Sequence, residues 1–443
     1  MIFSSLQFLI FLSFFVFFIK YLKNQQQIII IIFSLFFYSY WNPIFIFLIF
    51  YLSSTTYFCY KKKLPTWISI VFIFFPLAYF KYSEFFFNIL NFDRLLVFSY
   101  KSELPLAISF ISFTAVAFII DAKKKVFKQK VSFFSFLEFI VYFPQLIAGP
   151  ILRAKELIPN LKRKIVFSKE KVKFGIILFT VGFVKKVYLS DSIGAIIDPI
   201  FANPSQVPPE DLIKGFLLFP LQIYFDFSGY VDMALGISSI FSIELPINFN
   251  KPYLTKSLTE FWRCWHITLS KWFKDYLYIP LGGSRRGKKL LFFNVILTMS
   301  VAGLWHGANF NFILWGFLNG FFLFLEKQYT SPNKLNNVLK ITINCFIIFN
   351  LWLVFRIQDF NILIEYIKIL YSNTGYFFVK ENIFVLIFSI FAIMSQRYDN
   401  YLFIKNISTK IKFSFFVPII LMIIILGLSF ISGTSKKFIY FDF

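Results

Sequence analysis

The chain's only two histidines, His266 and His306, are the residues best suited to move a proton near neutral pH. Imidazole has an unperturbed pKa of about 6.5. A positioned histidine can therefore take a proton from an attacking hydroxyl and return it to a leaving group. Both histidines fall in a block at residues 222–326, which also holds five of the eight tryptophans. We expect the chemistry of this apolar chain to lie in that block.

His306 stands in the sequence GLWHG at residues 303–307, between two apolar runs. Glycine has no side chain, so the glycines on either side would let another backbone or a ligand approach closely. The other histidine, the Trp305 N–H or the amide of Asn309 could stabilise an oxyanion that develops beside His306. Trp305 and Asn309 are therefore supporting site candidates.

His266 is predicted to lie on a long helix. Ser257 followed three residues later by Glu260 is a capping-box pattern, which predicts a helix from Ser257 to about Tyr278. Helical periodicity would place His266 on its buried face together with three apolar residues, Trp262, Leu269 and Phe273. Arg263 would lie elsewhere on the same helix and is a further candidate for substrate binding.

Asp226 is flanked by Tyr224, Phe225 and Phe227. A carboxylate among aromatic residues is costly in lipid unless it is paired or hydrated, so Asp226 should face the protein interior. An ion pair with a lysine or arginine and a direct role in catalysis are both compatible with this pattern.

Other chemistries fit the sequence less well. A serine triad of the hydrolase type would need a G-x-S-x-G nucleophile elbow, and the sequence has none. Two histidines 40 residues apart, with no identified carboxylate ligands, do not predict a metal site. Cys59, Cys264 and Cys345 have neither disulfide nor zinc spacing and are interpreted as small buried apolar residues. Histidines that only pack in the core remain an alternative.

The composition places the whole block inside a membrane protein. Of 443 residues, 58% are hydrophobic and only 15% are charged, and the mean hydropathy is +0.71. Soluble proteins carry about 25% charged residues. A helix needs roughly 20 apolar residues to span a bilayer, and several apolar runs in the chain approach that length. They predict an all-α polytopic protein with about 11 to 13 hydrophobic segments. We interpret residues 1–443 as one transmembrane domain whose first segment is an uncleaved helix.

The formal net charge is +23, and the basic residues responsible for it lie beside apolar segments. Lysines and arginines cluster in short loops, which the positive-inside rule assigns to the cytoplasm, next to anionic lipid headgroups. Nucleic acid is not an expected partner. One region conflicts with simple crossings, because the apolar run 131–147 leads directly into the strongly basic loop 153–173. A re-entrant segment lining an internal tunnel would reconcile the two.

Several long motifs, in order, resemble the membrane-bound O-acyltransferase family, in particular its bacterial alginate-O-acetyltransferase-like branch. They cover most of the chain: YFPQLIAGPILR (142–153), GFVKKVYLSD (182–191), LQIYFDFSGYVDMALG (221–236), LPINFNKPYLTKSLTEFWRCWHITLSKWFKDYLYIPLGGSRRG (245–287), GLWHGANFNFILWG (303–316) and the closing FIYFDF (438–443).

The resemblance implies a helical membrane fold with a central tunnel, in the bacterial cytoplasmic (inner) membrane. It implies that His306 is the central catalytic residue and His266 the second polar group of the site. It also implies an acyl thioester donor, acetyl-CoA, on the cytoplasmic side. The acceptor would be an envelope or extracellular polysaccharide, reached directly or through a periplasmic serine-hydrolase-like acetyltransferase. No bound cofactor and no metal are expected.

Three other functions remain open at this point. D-alanyl transfer to teichoic acid would take its acyl group from a carrier protein, and lysophospholipid acylation would place a long acyl chain in lipid. A transporter or flippase would also have broken helices and buried charge, but would move its substrate without covalent transfer.

Overall fold

The computed structural model describes residues 1–90, 104–127, 130–147, 149–285, 287–329, 335–372, 380 and 382–431. Within these residues every regular element is helical, which confirms the predicted all-α class. The closing motif at 438–443 lies outside them. The α-helices in chain order are α1 Leu6–Tyr21, α2 Gln26–Ser39, α3 Phe45–Lys62, α4 Thr66–Leu77, α5 Ser83–Ile89, α6 Ile108–Lys123, α7 Phe133–Val141, α8 Phe143–Leu146, α9 Ala154–Leu161, α10 Lys169–Phe183, α11 Asp191–Ala202, α12 Asp211–Ile240, α13 Leu258–Cys264, α14 Ile267–Phe273, α15 Lys288–His306, α16 Phe310–Gln328, α17 Asn337–Arg356, α18 Phe360–Ser372, α19 Ile383–Ser395, α20 Tyr401–Lys410 and α21 Phe413–Ile431.

Length and composition make three of the described helical stretches candidate membrane spans: Thr66–Ile89, Lys288–His306 and Asn337–Arg356. A fourth candidate is the pair Leu6–Tyr21 and Lys23–Ser39, which is bent by 105°. Large apolar side chains point outward, with Phe47 77% and Phe384 82% exposed. Apolar surface of this kind suits contact with lipid rather than water.

The described residues fold as two compact units, each with its own core. The first contains residues of Met1–Phe183, Tyr230–Pro246 and Ser408–Thr434, and the second contains residues of Val184–Gly229 and Ile247–Ile407. Both histidines belong to the second unit. A single domain over residues 1–443 stays a prediction.

In the first unit, the run 131–147 does not form one spanning helix. The nine-residue α7 ends at Tyr142, whose φ of −48° and ψ of 105° leave the helical region, and the four-residue α8 follows. The Phe143 N–H at the break donates to Ser34 Oγ at 3.2 Å, and Tyr142 Oη donates to Ser238 Oγ at 3.1 Å. The break is therefore buried and hydrogen-bonded, as a half-membrane segment requires.

The second unit is built around an antiparallel hairpin of α15 and α16. A Cβ on Gly303 would collide with the Phe312 carbonyl oxygen, and a Cβ on Gly316 would collide with the Met299 carbonyl oxygen. The two backbones therefore pack directly against each other, as small residues allow in membrane helices. Gly303 is one of the two glycines near His306 that were expected to let a backbone or a ligand approach, and here it lets a backbone approach.

Replacing Gly316 with alanine should weaken this hairpin, because the added methyl group meets backbone that cannot rotate away. Overpacking of this kind costs about 1–3 kcal/mol. We expect a lower thermal midpoint for the detergent-solubilised Gly316→Ala protein. The matched control is Phe317→Ala on the same helix, where the side chain is 40% exposed. Equal midpoints for the two variants would contradict the proposed close packing.

Candidate active site

His266 lies at a break between two short helices, not within the continuous helix predicted from the sequence. Ser257 does begin α13, since its Oγ accepts from the Glu260 N–H at 3.1 Å. However, α13 ends at Cys264, and His266 adopts a left-handed conformation with φ 41° and ψ 57° before α14 begins. The predicted face shared by Trp262, His266, Leu269 and Phe273 is therefore wrong.

The physical reason for the break lies in residues 248–250, which cross it. In a continuous helix the Thr268 N–H would bond to the Cys264 carbonyl oxygen. Here the Asn250 N–H donates to that oxygen at 3.0 Å, and the Thr268 N–H donates to Asn248 Oδ1 at 3.2 Å. A histidine tolerates the left-handed region better than most residues.

His306 is the last residue of α15 and is buried. Its ring meets three aromatic rings edge-on: Trp305 at 4.8 Å, Trp315 at 5.3 Å and Phe355 at 5.1 Å between centroids. The backbone turns immediately afterwards, because Asn309 caps α16 by accepting from the Asn311 N–H at 2.9 Å.

Trp305 connects the two imidazoles. Its indole lies 6.2 Å from the His266 ring and 4.8 Å from the His306 ring, centroid to centroid. The His266 ring also meets the Phe227 ring, with 4.7 Å between their centroids. The structure thus brings together three of the predicted site residues, Trp305 and the two histidines, in one buried cluster.

A cavity of about 430 Å³ reaches His306. One wall is a single face of α15, formed by Val295, Thr298, Met299, Ala302 and His306 at helical spacing. Eleven residues separate the first of these from the last, so the wall is about 16 Å long at 1.5 Å per residue.

The other walls come from α13, α14, the helical segment Lys274–Tyr278 and α16, and they carry positive charge. Four exposed basic residues line the cavity: Arg263, Lys271, Lys274 and Lys327. Lys327 Nζ lies 3.3 Å from Tyr278 Oη and sits over that ring. It follows Trp315 by twelve residues on α16, which places it about 18 Å along the helix from the end that contacts His306.

The two ends of the cavity therefore differ in chemistry. Lys327 lies towards one end, while buried aromatic rings surround His306 at the other. His266 lies outside the candidate spans, and burial lowers the pKa of its imidazole to about 3. Its ring is thus neutral at physiological pH and can act there as a hydrogen-bonding group rather than a cation.

Asp226 is fully buried and forms an ion pair, one of the two roles left open by the sequence. Its Oδ1 lies 2.5 Å from Lys186 Nζ, which also donates to Asp191 Oδ1 at 2.8 Å. Burial lowers the pKa of Lys186, but the charges of Asp226 and Asp191 more than offset this and raise it. Lys186 is therefore charged, and the pair anchors α12 beside the segment that precedes α11.

The two remaining predicted site residues, Arg263 and Asn309, have different roles in the structure. Arg263 lines the cavity, whereas Asn309 caps α16 and donates to the Gln358 carbonyl oxygen at 3.4 Å. Sequence reasoning missed Lys271 and Lys327 as lining residues, although their basic character was visible. It also missed Asn248, which carries no signal without knowledge of the break. Among the described residues, no group of three histidine, cysteine or acidic side chains could hold a metal ion.

Comparison with known proteins gives a consistent result. Residues 64–364 match the sequence model of the membrane-bound O-acyltransferase family. The chain is 34% identical over 388 residues to the protein named "Probable alginate O-acetylase AlgI" of Pseudomonas aeruginosa, covering 82% of this chain and 73% of that protein. It is 33% identical over 394 residues to the peptidoglycan O-acetyltransferase of Helicobacter pylori, covering 79% and 74%. It is 29% identical over 262 residues to the teichoic acid D-alanyltransferase of Bacillus subtilis, covering 54% of this chain and 65% of that protein.

Removing one partner of the Lys186–Asp226 pair should destabilise the protein strongly. Breaking a buried pair costs about 3–5 kcal/mol, whereas replacing both partners by apolar residues is often tolerated. We expect Asp226→Ala to lower the thermal midpoint and the double variant Lys186→Met/Asp226→Leu to recover much of the loss. Lys214→Met, which breaks a partly exposed pair with Asp211, is the control and should have little effect. A double variant no better than Asp226→Ala would contradict the ion-pair account.

Proposed function

The chain belongs to the membrane-bound O-acyltransferase family, and on that premise we propose that it moves an acetyl group from acetyl-CoA to hydroxyls of an envelope polysaccharide. It is an O-acyltransferase and a membrane protein. In this proposal the protein acts in the bacterial cytoplasmic membrane. One observation carries the proposal: the buried His306 lines a cavity whose walls bear four basic side chains.

The shape and charge of the cavity support an anionic thioester donor. Coenzyme A carries phosphates on its nucleotide end and the thiol at the end of a slender, flexible arm. Phosphates suit the basic side chains of Lys271, Lys274 and Lys327, since lysine binds phosphate as a point charge. The arm would then follow the face of α15 for about 16 Å and bring the acetyl group to His306.

His306 is the general base in this proposal. It accepts the proton of the acceptor hydroxyl while that oxygen attacks the thioester carbonyl. The new C–O bond forms, the C–S bond breaks, and the proton passes from the imidazolium to the departing thiolate, which leaves as free coenzyme A. A positioned base of this kind contributes roughly 10²- to 10⁴-fold in rate.

His266 is assigned a different role because burial keeps its imidazole neutral. A neutral ring can donate one hydrogen bond to the oxyanion of the tetrahedral intermediate without first losing a proton. Trp305 contacts both imidazoles and so links the two histidines in one cluster. Arg263 belongs with the donor-binding side of the cavity. Asp226 is placed as the partner of Lys186, and Asn309 as a helix cap.

The acceptor proposal rests on the relatives. The names of the two most fully covered ones given above refer to O-acetylation of alginate and of peptidoglycan. Both are glycans outside the cytoplasm, so the acetyl group must cross the membrane. We propose that a periplasmic serine-hydrolase-like acetyltransferase completes the transfer where the glycan does not reach the site itself.

D-alanyl transfer is the second candidate, favoured by the similarity to a teichoic acid D-alanyltransferase. The same basic cavity would fit the phosphorylated arm of a carrier protein. Labelling cells with acetate and with D-alanine separates the two, since only the transferred acyl group becomes bound to the envelope polymer. Long-chain label in lipid would indicate lysophospholipid acylation, and glycan movement without label would indicate a transporter.

Replacement of His306 tests the proposed base. We expect His306→Ala and the shape-conserving His306→Gln to lower the rate of glycan O-acetylation by roughly 10²-fold or more. The measurement is ester-bound acetate on envelope glycans, by mass spectrometry, in a deletion strain complemented with each variant at matched membrane levels. Unchanged acetylation with either variant would refute the assignment, and a tolerated glutamine would favour the transporter.

Charge reversal at the basic side chains tests the donor site. We expect the double variant Lys271→Glu/Lys327→Glu to raise the KM for acetyl-CoA at least tenfold, about 1.4 kcal/mol, with kcat within about twofold, because the lysines touch the donor away from the reacting atoms. The assay is initial acetyl transfer in inverted membrane vesicles. Lys368→Glu, an exposed lysine on α18 that does not line the cavity, is the matched control. An unchanged KM in the double variant would contradict the donor site.

A further inference from the structure

A short non-helical segment, residues 248–250, supplies the hydrogen bonds that keep the helix open at His266. Asn248 accepts three of them. Its carbonyl oxygen accepts from the Ile267 N–H at 3.0 Å, and its Oδ1 accepts from the Thr268 N–H at 3.2 Å and from Thr268 Oγ1 at 2.7 Å. A fourth bond, from the Asn250 N–H to the Cys264 carbonyl oxygen, measures 3.0 Å.

These bonds replace those that would close the helix. Without the break, the Ile267 and Thr268 N–H groups would bond to the carbonyl oxygens four residues earlier, at Arg263 and Cys264. Asn248 takes both donors, and Asn250 occupies one of the two acceptors. The left-handed conformation of His266 is strained for a residue with a side chain and persists only where its surroundings impose it. The segment at 248–250 imposes it here.

The Asn248 side chain is fixed as well as buried. It has no exposed surface, and Thr268 approaches its Oδ1 with both the backbone N–H and the hydroxyl. Its Nδ2 makes no hydrogen bond with any residue that the structure describes. Among the described residues, the Asn248 side chain therefore forms hydrogen bonds only through its Oδ1. Both of these bonds come from Thr268, two residues after His266.

We propose that Asn248, with Thr268, is a positioning residue for His266: it holds the backbone break that aims this imidazole at Trp305 and the reacting centre. The inference rests on the role proposed above for His266, and neither Asn248 nor Thr268 was among the predicted site residues. Asn248 acts through the backbone and need not touch the substrate. Losing its bonds lets residues 264–268 relax towards a continuous helix, which rotates the imidazole away.

The test compares kcat and KM, because misplacing a group that acts in the transition state lowers kcat and leaves donor binding intact. We expect Asn248→Ala to lower kcat for acetyl transfer by roughly 10- to 100-fold, as misplacement by about 1 Å can do, with the KM for acetyl-CoA within about twofold. Thr268→Val removes only the hydroxyl and should lower kcat less. Thr268→Ser keeps the hydroxyl and should restore kcat to near the wild-type value.

The same unit offers a matched control. Asn344, equally buried, donates from Nδ2 to the Thr255 carbonyl oxygen at 3.0 Å and to Thr255 Oγ1 at 3.1 Å. Asn344→Ala and Thr255→Val lose comparable bonds, but these bonds do not involve the segment around His266. Thermal midpoints of all variants in detergent measure the shared structural cost. Activity is assayed in vesicles at equal amounts of folded protein.

Each outcome decides the proposal. A lower kcat for Thr268→Val than for Thr255→Val at similar midpoints, with rescue by Thr268→Ser, supports it. Equal kcat values for the Asn248 and Thr268 variants and for their controls at Asn344 and Thr255 overturn it. Where Asn248→Ala fails to fold, Thr268→Val and Thr255→Val still supply this comparison.

The variant His266→Ala distinguishes failure of the positioning proposal from failure of the proposed function. If His266→Ala is inactive while the Asn248 and Thr268 variants match their controls, only the positioning role is wrong. If His266→Ala remains active, the function proposed for His266 fails as well.

Discussion

Backbone hydrogen bonding is the constraint on which the site depends. In a chain surrounded by lipid, each buried N–H and C=O needs a partner within the protein, so a helix can be interrupted only where another segment takes over its bonds. At His266 the residues 248–250 do so, with bonds of 3.0 to 3.2 Å. In the first unit, the Ser34 hydroxyl likewise accepts from the Phe143 N–H at the break between α7 and α8. Interruptions in this fold are therefore constructed, each with its own partners.

The second requirement is close packing around His306. Gly303 and Gly316 let α15 and α16 approach until no side chain fits between them, and this fixes the position of the last residue of α15. Three aromatic rings then meet the His306 imidazole edge-on, which is a favourable geometry for ring pairs. These contacts restrict rotation of the imidazole. The charged pair of Asp226 and Lys186 lies in the same unit but in a separate, buried network. Aromatic packing and ion pairing thus serve different parts of the molecule.

The sequence predicted composition-level features well and local interruptions poorly. Hydropathy indicated the all-helical membrane class, and Ser257 marked the start of α13. Periodicity failed at His266, because Asn248, almost 20 residues earlier in the chain, decides whether the helix continues. For the same reason Lys271 and Lys327 could not be assigned to one cavity, since they lie on different helices. The pairing of Asp226 was among the expected alternatives, and its partner could be identified only in three dimensions.

The hairpin of α15 and α16 has one further consequence. Lys327 and His306 lie on the two different helices of this hairpin. These helices cannot slide past each other, because their glycines bring the two backbones into direct contact. The hairpin therefore fixes the distance between the two residues. In the proposed donor site, this distance would match the span of the donor from its anionic end to its reactive carbonyl, and inserting one helical turn in each helix of the hairpin would lengthen the required span by about 5.4 Å.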